Sequence, residues 1–305
     1  MMTTGYCALR ESAAWLDLSG RGKVLAFGED RARLLHAMTT NHVEGLAEGS
    51  GCYAFFLNAQ GRILGDVNLF RMPDHFLLDT EPETAAKLRE HLDHYIIADD
   101  VTLEDRTAGT ATIAVEGPRA ADLLAALGAP IPDAPYGHLV WEDRTVARVD
   151  STGAGGCFIF LPAGGKMKLI RQIEAAGIDG ASAEDARVVR LEHGRPRYGE
   201  DITEDDVPQE TQVLRAVHFK KGCYIGQEIV ERIRARGHVN RLLVRLAIDA
   251  AHPPARGAAL PGGAITSAAY SPALGKVVAL GYVRAESARP GTEFLLDGAP
   301  AKVMA

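Results

Sequence analysis

The residues best placed to do chemistry are crowded into Lys220–Arg241, KKGCYIGQEIVERIRARGHVNR. Gly222 and Gly226 permit tight turns and close backbone approach. Gln227–Arg236 then reads as a helix, with Ile229, Val230 and Ile233 on one side. Cys223 stands just before that helix and two residues after Lys221. A thiol near a helix N-terminus and an ammonium gains thiolate character, which suits a redox or transfer role. The competing reading is a small buried hydrophobe, the usual condition of a free cysteine. Gln227 and Glu228 are spaced to orient Lys221 or a ligand through hydrogen bonds, or simply to close the turn.

Charge concentrates in the same stretch. The 305-residue chain carries a formal net charge of −7. Between Arg215 and Arg245, eight Lys/Arg stand against Glu228 and Glu231, which is +6 over 31 residues and leaves −13 elsewhere. Directly upstream, Glu192–Glu210 holds seven acids against Arg195 and Arg197. The acidic total argues against general nucleic-acid binding. The basic stretch is either a solvated helix face or a site for carboxylates or phosphates, with Arg232 and Arg234 its foremost members.

The elements that must position these residues alternate between strand and helix for two thirds of the chain. Lys23–Phe27, Cys52–Leu57, Ile63–Phe70, His75–Asp79 and Cys157–Leu161 read as strands. Asp30–Met38, Glu83–Tyr95 and Lys166–Ala176 read as helices. Gly28–Met38 (GEDRARLLHAM) and Gly117–Leu127 (GPRAADLLAAL) share five residues at an offset of 89. Either the chain is duplicated into two α+β halves facing a cleft, or two amphipathic helices share letters by chance. From Leu242 onward, short apolar runs cut by Gly and Pro predict a small β-barrel or sandwich. The expected fold class is α+β, with regions 1–108, 109–240 and 241–305.

Cysteines at 7, 52, 157 and 223 form no CxxC or CxxH pair, so neither a structural zinc nor a cluster held by this chain alone is expected. No signal peptide and no run of about 20 apolar residues is visible. These features predict no membrane association and a cytoplasmic protein, or a mitochondrial matrix one in a eukaryotic source.

KGCYIGQE, followed by Arg232 and RGHVNR, resembles the signature of YgfZ-type proteins. These are the folate-binding, iron–sulfur-assembly branch of the aminomethyltransferase (glycine-cleavage T-protein) family. Phe27–Val43, Tyr53–Asp66 (YAFFLNAQGRILGD), Val189–Ile202 (VRLEHGRPRYGEDI) and SPALGKVVALGYVR resemble other stretches of that family. His42 replaces an Asp of its pattern. The resemblance covers the whole chain and implies two ferredoxin-like α+β regions around a folate cleft, plus the C-terminal β-barrel.

It also implies a cofactor, tetrahydrofolate or a derivative. Reduced folate needs a carboxylate for its adjacent N–H donors, apolar walls for its rings and cations for its tail. By resemblance, Glu192 is the pterin-recognising acid, Asp66 the acid near the reactive nitrogens and Tyr53 a pocket aromatic. Lys221, Gln227, Glu228, Arg232 and Arg234 are further binding candidates, and Cys223 and Asp66 the catalytic ones. Two acids of the T-protein pattern are reduced here to Gly65-Asp66, and the tryptophans Trp15 and Trp141 fall away from the places some YgfZ-type members use. The leading expectation is a tetrahydrofolate-binding factor that assists maturation or repair of iron–sulfur enzymes, with transient contacts to apoproteins or assembly proteins. The alternative is a folate-dependent aminomethyltransferase or demethylase. A third reading is an interaction module that has lost its ligand.

Overall fold

The computed structural model describes residues 2–305. Helix α1 (Thr4–Glu11) and strand β1 (Ala14–Asp17) precede β2 (Gly22–Phe27), α2 (Arg31–Met38), β3 (Gly51–Leu57), β4 (Ile63–Arg71), β5 (Phe76–Thr80) and α3 (Ala85–Tyr95). The order then recurs as β6 (Thr102–Asp105), β7 (Thr110–Glu116), α4 (Ala120–Ala126), β8 (His138–Trp141), β9 (Arg144–Ala147), β10 (Gly156–Pro162) and α5 (Lys166–Ala175). Helices α6 (Ala183–Glu192) and α7 (Gln227–Arg236) lead into β11 (Arg241–Ile248), β12 (Ala259–Leu260), β13 (Gly263–Ser271), β14 (Lys276–Arg284), β15 (Glu293–Leu296) and β16 (Ala299–Val303).

The first sheet has the order β3-β4-β5-β2-β6 and the second β8-β9-β10-β7-β1, with every pairing antiparallel. The two orders correspond strand for strand, except that each unit's first strand sits in the other unit's sheet. β1 pairs with β7, and β6 pairs with β2. The crossings match atom by atom. Leu18 N–H donates to Thr112 O and Arg106 N–H to Lys23 O, pairs displaced by 88 or 89 residues. Thr107 Oγ1 accepts from Lys23 N–H, and Ser19 Oγ from Thr112 N–H. Asp30 N–H donates to Asp100 O, as Arg119 N–H does to Ser12 O. Duplication, left open by the shared letters, is what this geometry supports. The second sheet therefore draws on residues either side of position 108.

Each sheet packs one face on its own helices. Val24, Ala54, Val67 and Leu69 meet Leu34, Leu35, Leu88 and Leu92. Ile113, Val115, Cys157 and Ile159 meet Leu124, Leu169 and Ile173. The other faces turn toward each other and toward α1, α6 and the C-terminal sheet, through Phe70, Phe158, Phe160, Val189, Leu280 and Tyr282. Those last six strands, ordered β12-β13-β14-β11-β16-β15, form the expected nearly closed barrel around Leu246, Ile248, Val277 and Val303.

The turns that launch α2 and α4 need glycine. Gly28 has φ 102° and Gly117 φ 131°, a region costly for residues with a Cβ. A Cβ on Gly28 would run into Asp100 O, and one on Gly117 would stand 2.5 Å from Ser12 O and 2.8 Å from Ala13 Cα. Both obstacles are backbone just ahead of an exchanged strand, so neither can yield without moving it. Gly117→Ala should therefore lower stability by on the order of 2 kcal/mol or more, read as a lower urea midpoint. Gly164→Ala, where a Cβ meets nothing within 4 Å, should leave the midpoint in place.

Candidate functional site

Between the inner faces of the two sheets lies a cavity of about 690 Å³. The exchanged strand β1 lines it with Trp15, Leu16 and Asp17, and the crossing that follows adds Arg21. The first sheet supplies Tyr53 and Asp66, the second Phe158, and α6 supplies Ala186, Arg187 and Arg190.

Asp66 is buried, and its Oδ2 accepts a 2.6 Å hydrogen bond from the Tyr53 hydroxyl. Its Oδ1 is buried without a partner. Burial, reinforced by the nearby Glu81 charge, pushes the carboxyl up to about 6, against the Tyr53 hydrogen bond and Arg21. The pleat sends neighbours of Asp66 to the opposite face. A Cβ on Gly65 would lie 3.0 Å from Leu88 Cδ1, inside the α3 packing. A second acid at position 65 would thus not reach the cavity, and its replacement by glycine removes no cavity acid.

The other cavity carboxylates are engaged. Arg21 binds Asp79 at 2.8 Å and also Glu81, while Arg197 reaches Glu81 at 2.8 Å and Glu83 at 2.9 Å. Glu200 takes Arg187 at 2.7 Å and Arg190 at 2.5 Å, and Arg190 also holds Asp201 at 2.6 Å. Asp150 lies 3.3 Å from Arg195. Arg215 has its guanidinium 5.1 Å from the centre of the Tyr53 ring. A confined space with apolar walls, one unpartnered carboxyl oxygen and many guanidinium groups suits a flat heterocycle carrying acidic groups.

Residues 2–221 match the GCVT N-terminal domain, and residues 241–305 match the glycine cleavage T-protein C-terminal barrel domain. The chain belongs to the glycine cleavage T-protein family. It is 31% identical over 305 residues to an aminomethyltransferase of Herpetosiphon aurantiacus, covering 94% of this chain and 82% of that one. It is 30% identical over 312 residues to an aminomethyltransferase of Rubrobacter xylanophilus, covering 96% and 82%. The crystal structure of glycine cleavage system aminomethyltransferase T from Bartonella henselae shares the fold, with a TM-score of 0.89 at 24% identity over 99% of this chain and 87% of that one.

In this family member only Tyr53 and Asp66, of the candidate site residues taken from sequence, line the cavity, and Trp15, which the resemblance set aside, lines it too. Glu192 is at the end of α6, turned from the cavity. Its carboxylate accepts from Tyr6 Oη and Ser271 Oγ at 2.6 Å and pairs with Arg10 at 2.5 Å, tying α1, α6 and the barrel together. The Lys221 ammonium is not offered to Cys223. It is buried, donating to the carbonyls of His36 and Thr39 at the end of α2, where cations are favoured, and burial lowers it to about 8. Gln227 Oε1 accepts from Tyr224 N–H at 3.3 Å, closing the turn. Glu228 pairs with Arg232, and Arg234 with Glu231 at 3.3 Å, all on the outer surface. The reason is packing. α7 lays buried Val230 and Ile229 toward the β3–β4 turn at Gly61, so its charged face meets solvent. Cys223 is exposed, whereas Cys52 and Cys157 are buried and Cys7 partly so.

Sequence reading missed Glu81, Asp150, Arg187 and Arg190. Arg195, Arg197 and Arg215 were visible only as members of charge runs. Among the described residues no cluster of three or more His, Cys, Asp or Glu could hold a metal ion, and no helix is long and apolar enough to cross a membrane.

Asp66 yields a pH prediction. Its folded pKa lies above the unfolded one, so the stability it contributes is complete below about pH 4 and is lost as pH rises through about 6. Asp66→Asn should stabilise the protein relative to wild type at pH 7.5, by about 3 kcal/mol, read as a higher melting temperature. The gap should close at pH 4. An equal effect at both pH values would contradict the assignment of a carboxyl whose ionisation is disfavoured by burial.

Proposed function

We propose that the cavity binds tetrahydrofolate and that the protein moves a one-carbon unit between an amine and that folate. The observation that carries this reading is Asp66: a buried carboxyl in the cavity wall raised to about 6, with one oxygen fixed by Tyr53 and the other buried without a partner. The aminomethyltransferase relatives support the same reaction class.

When bound, tetrahydrofolate supplies the nitrogens that take up the one-carbon unit. Asp66 is the cavity acid with a buried, unpartnered oxygen, and on this reading it serves the reacting N–H. Near its raised pKa the carboxyl both accepts and returns a proton at mild pH, the condition for general acid–base work. It takes the proton released by the nitrogen that bonds to carbon and gives it to the nitrogen that leaves. Tyr53 holds it in position. Trp15, Phe158 and Tyr53 supply apolar walls, and the α6 and Arg195–Arg197 guanidinium groups face the anionic part. The Glu192 carboxylate is already committed to three partners, so pterin recognition through it would need the barrel contact to open.

Tetrahydrofolate at 100 times its dissociation constant should stabilise the protein by about 2.7 kcal/mol, seen as a rise in melting temperature. Methylene-tetrahydrofolate should form from an aminomethyl donor as its amine is released, and Asp66→Asn should slow this by about 10²- to 10⁴-fold. Absence of any thermal shift at saturating folate would reject the reading.

A second reading, assistance to iron–sulfur enzymes beside folate binding, rests on KGCYIGQE and on one further observation: Cys223 is the exposed cysteine, carried on a loop anchored by buried Lys221. On this reading Cys223→Ser in a deletion strain fails to restore cluster-enzyme activity while folate still shifts the melting temperature. Full restoration by the serine variant would dismiss a thiol role.

A further inference from the structure

Three histidines gather where α2 ends. The His42 ring lies 4.9 Å from that of His36 and 5.3 Å from that of His218, centre to centre. They come from the last turn of α2, the loop after it and the start of the segment His218–Ile225, which carries Cys223. None of the three lines the cavity. The segment contains neither helix nor strand and is held to the end of α2 by few bonds. His218 N–H donates to Thr40 O at 2.9 Å and Ile225 N–H to Ala37 O at 3.2 Å, and the buried Lys221 ammonium donates to the carbonyls of His36 and Thr39.

Charge at this junction is unbalanced. The C-terminal carbonyls of a helix favour a cation, but here Lys221 already occupies them. The carboxylate that acts on both His36 and Lys221 is the exposed Glu44. Arg33 of α2 is taken by Asp30 at 3.1 Å and Asp99 at 2.5 Å. The Cys52 thiol, pushed up to about 12 by burial, and the Tyr224 ring also face Lys221 and bring no negative charge. Lys220, on the segment itself, is exposed and adds a further positive charge.

His36 is the buried member. Its Nδ1 accepts from Glu44 N–H at 3.3 Å, which leaves Nε2 to carry the proton of the neutral ring. A second proton on Nδ1 would set donor against donor. A Cβ on Gly222 would stand 3.8 Å from Nε2, so that side of the ring faces the segment. Burial, and then the Lys221 ammonium, hold the imidazole below its ordinary value; His42 and His218 add to this and Glu44 opposes it. A histidine that is harder to protonate when folded contributes stability above its unfolded pKa, and that stability is lost as pH falls through the folded one.

We infer that His36, His42 and His218 form an acid-released latch, which docks the segment bearing Cys223 on α2 at neutral pH and frees it in a mildly acidic medium. Each imidazole that takes up a proton sets a positive charge beside Lys221 and beside the other two rings. The segment is the part that yields, because α2 is packed into the core through Leu34, Leu35 and Met38. The latch is independent of what the cavity binds.

Hydrogen exchange of the full-length protein tests it. Between pH 7.5 and 5.5, protection of the His218–Ile225 amides, corrected for the intrinsic exchange rate, should fall by on the order of 10-fold or more, while β11 and β14 keep theirs. Glu44→Gln should move this opening to higher pH and His42→Asp to lower pH. The triple variant His36→Asn/His42→Asn/His218→Asn, in which asparagine keeps an acceptor near the Nδ1 position, should hold its protection at pH 5.5. Equal protection of wild type at both pH values overturns the inference. So does an opening that neither Glu44→Gln nor His42→Asp displaces, or a loss in the triple variant as large as in wild type. Should the triple variant not fold, the wild-type comparison and the two single variants decide.

Discussion

Each α+β unit leaves one edge of its second strand without a partner from its own chain segment, and the other unit's first strand fills it. A bare edge exposes a row of unpaired backbone donors and acceptors, so neither sheet is complete alone. The paired crossings at Leu18–Lys23 and Arg106–Thr112 lock the exchange with matching hydrogen bonds. This fixes the two sheets face to face, and the cavity is the space their inner faces cannot fill. It also explains why Trp15, Leu16 and Asp17, far in sequence from Asp66 and α6, share a wall with them. The glycines at 28 and 117 belong to the same device, since each lets a helix start beneath the backbone that feeds an exchanged strand.

The cavity chemistry follows from charge balance in a confined place. An unpaired buried charge is costly, and arginine–carboxylate pairs reduce that cost. Here Glu81 and Glu200 each take two guanidinium groups. The pairing leaves one acid and one cation without an ion-pair partner, Asp66 on the Tyr53 hydroxyl and Arg215 over the Tyr53 ring. The acid answers by holding its proton to about 6. The cation cannot lose its proton, so it rests on the π-face of the ring, where a guanidinium is attracted.

Strongly periodic segments were legible in the sequence. The helix Gln227–Arg236 has the bounds its spacing predicts, and β3, β4 and α3 lie within two residues of their expected limits. The short strands were not: β1, β6 and β8 have four residues each, too few to show alternation, and β1 and β6 take their pairing from distant segments. Helix α6 was hidden because both of its faces are covered, one by the barrel and one by the cavity. Arg187 and Arg190 therefore stand where an amphipathic pattern would place apolar residues. Tyr53 and Asp66 were legible by resemblance. The arginine wall was not, because the stretch Glu192–Glu210 reads as an acidic surplus until the fold brings its acids onto arginines.

The basic stretch shows why a sum of charges along the chain is a poor map of a binding site. Six net positive charges fall between Arg215 and Arg245, yet they do not share a surface. Lys221 is spent on two carbonyls at the end of α2, and Arg241 on Asp206 and Glu210. Arg245 donates to Glu192 O and Ala305 O. Arg232 and Arg234 pair along their own helix, in solvent, where such pairs contribute little. Arg215 alone enters the cavity, because its turn is anchored to α2 while α7 is turned outward by Ile229 and Val230. Anion recognition in this protein therefore depends on which arginines the packing leaves unpaired, and the number of them in sequence has little bearing on it.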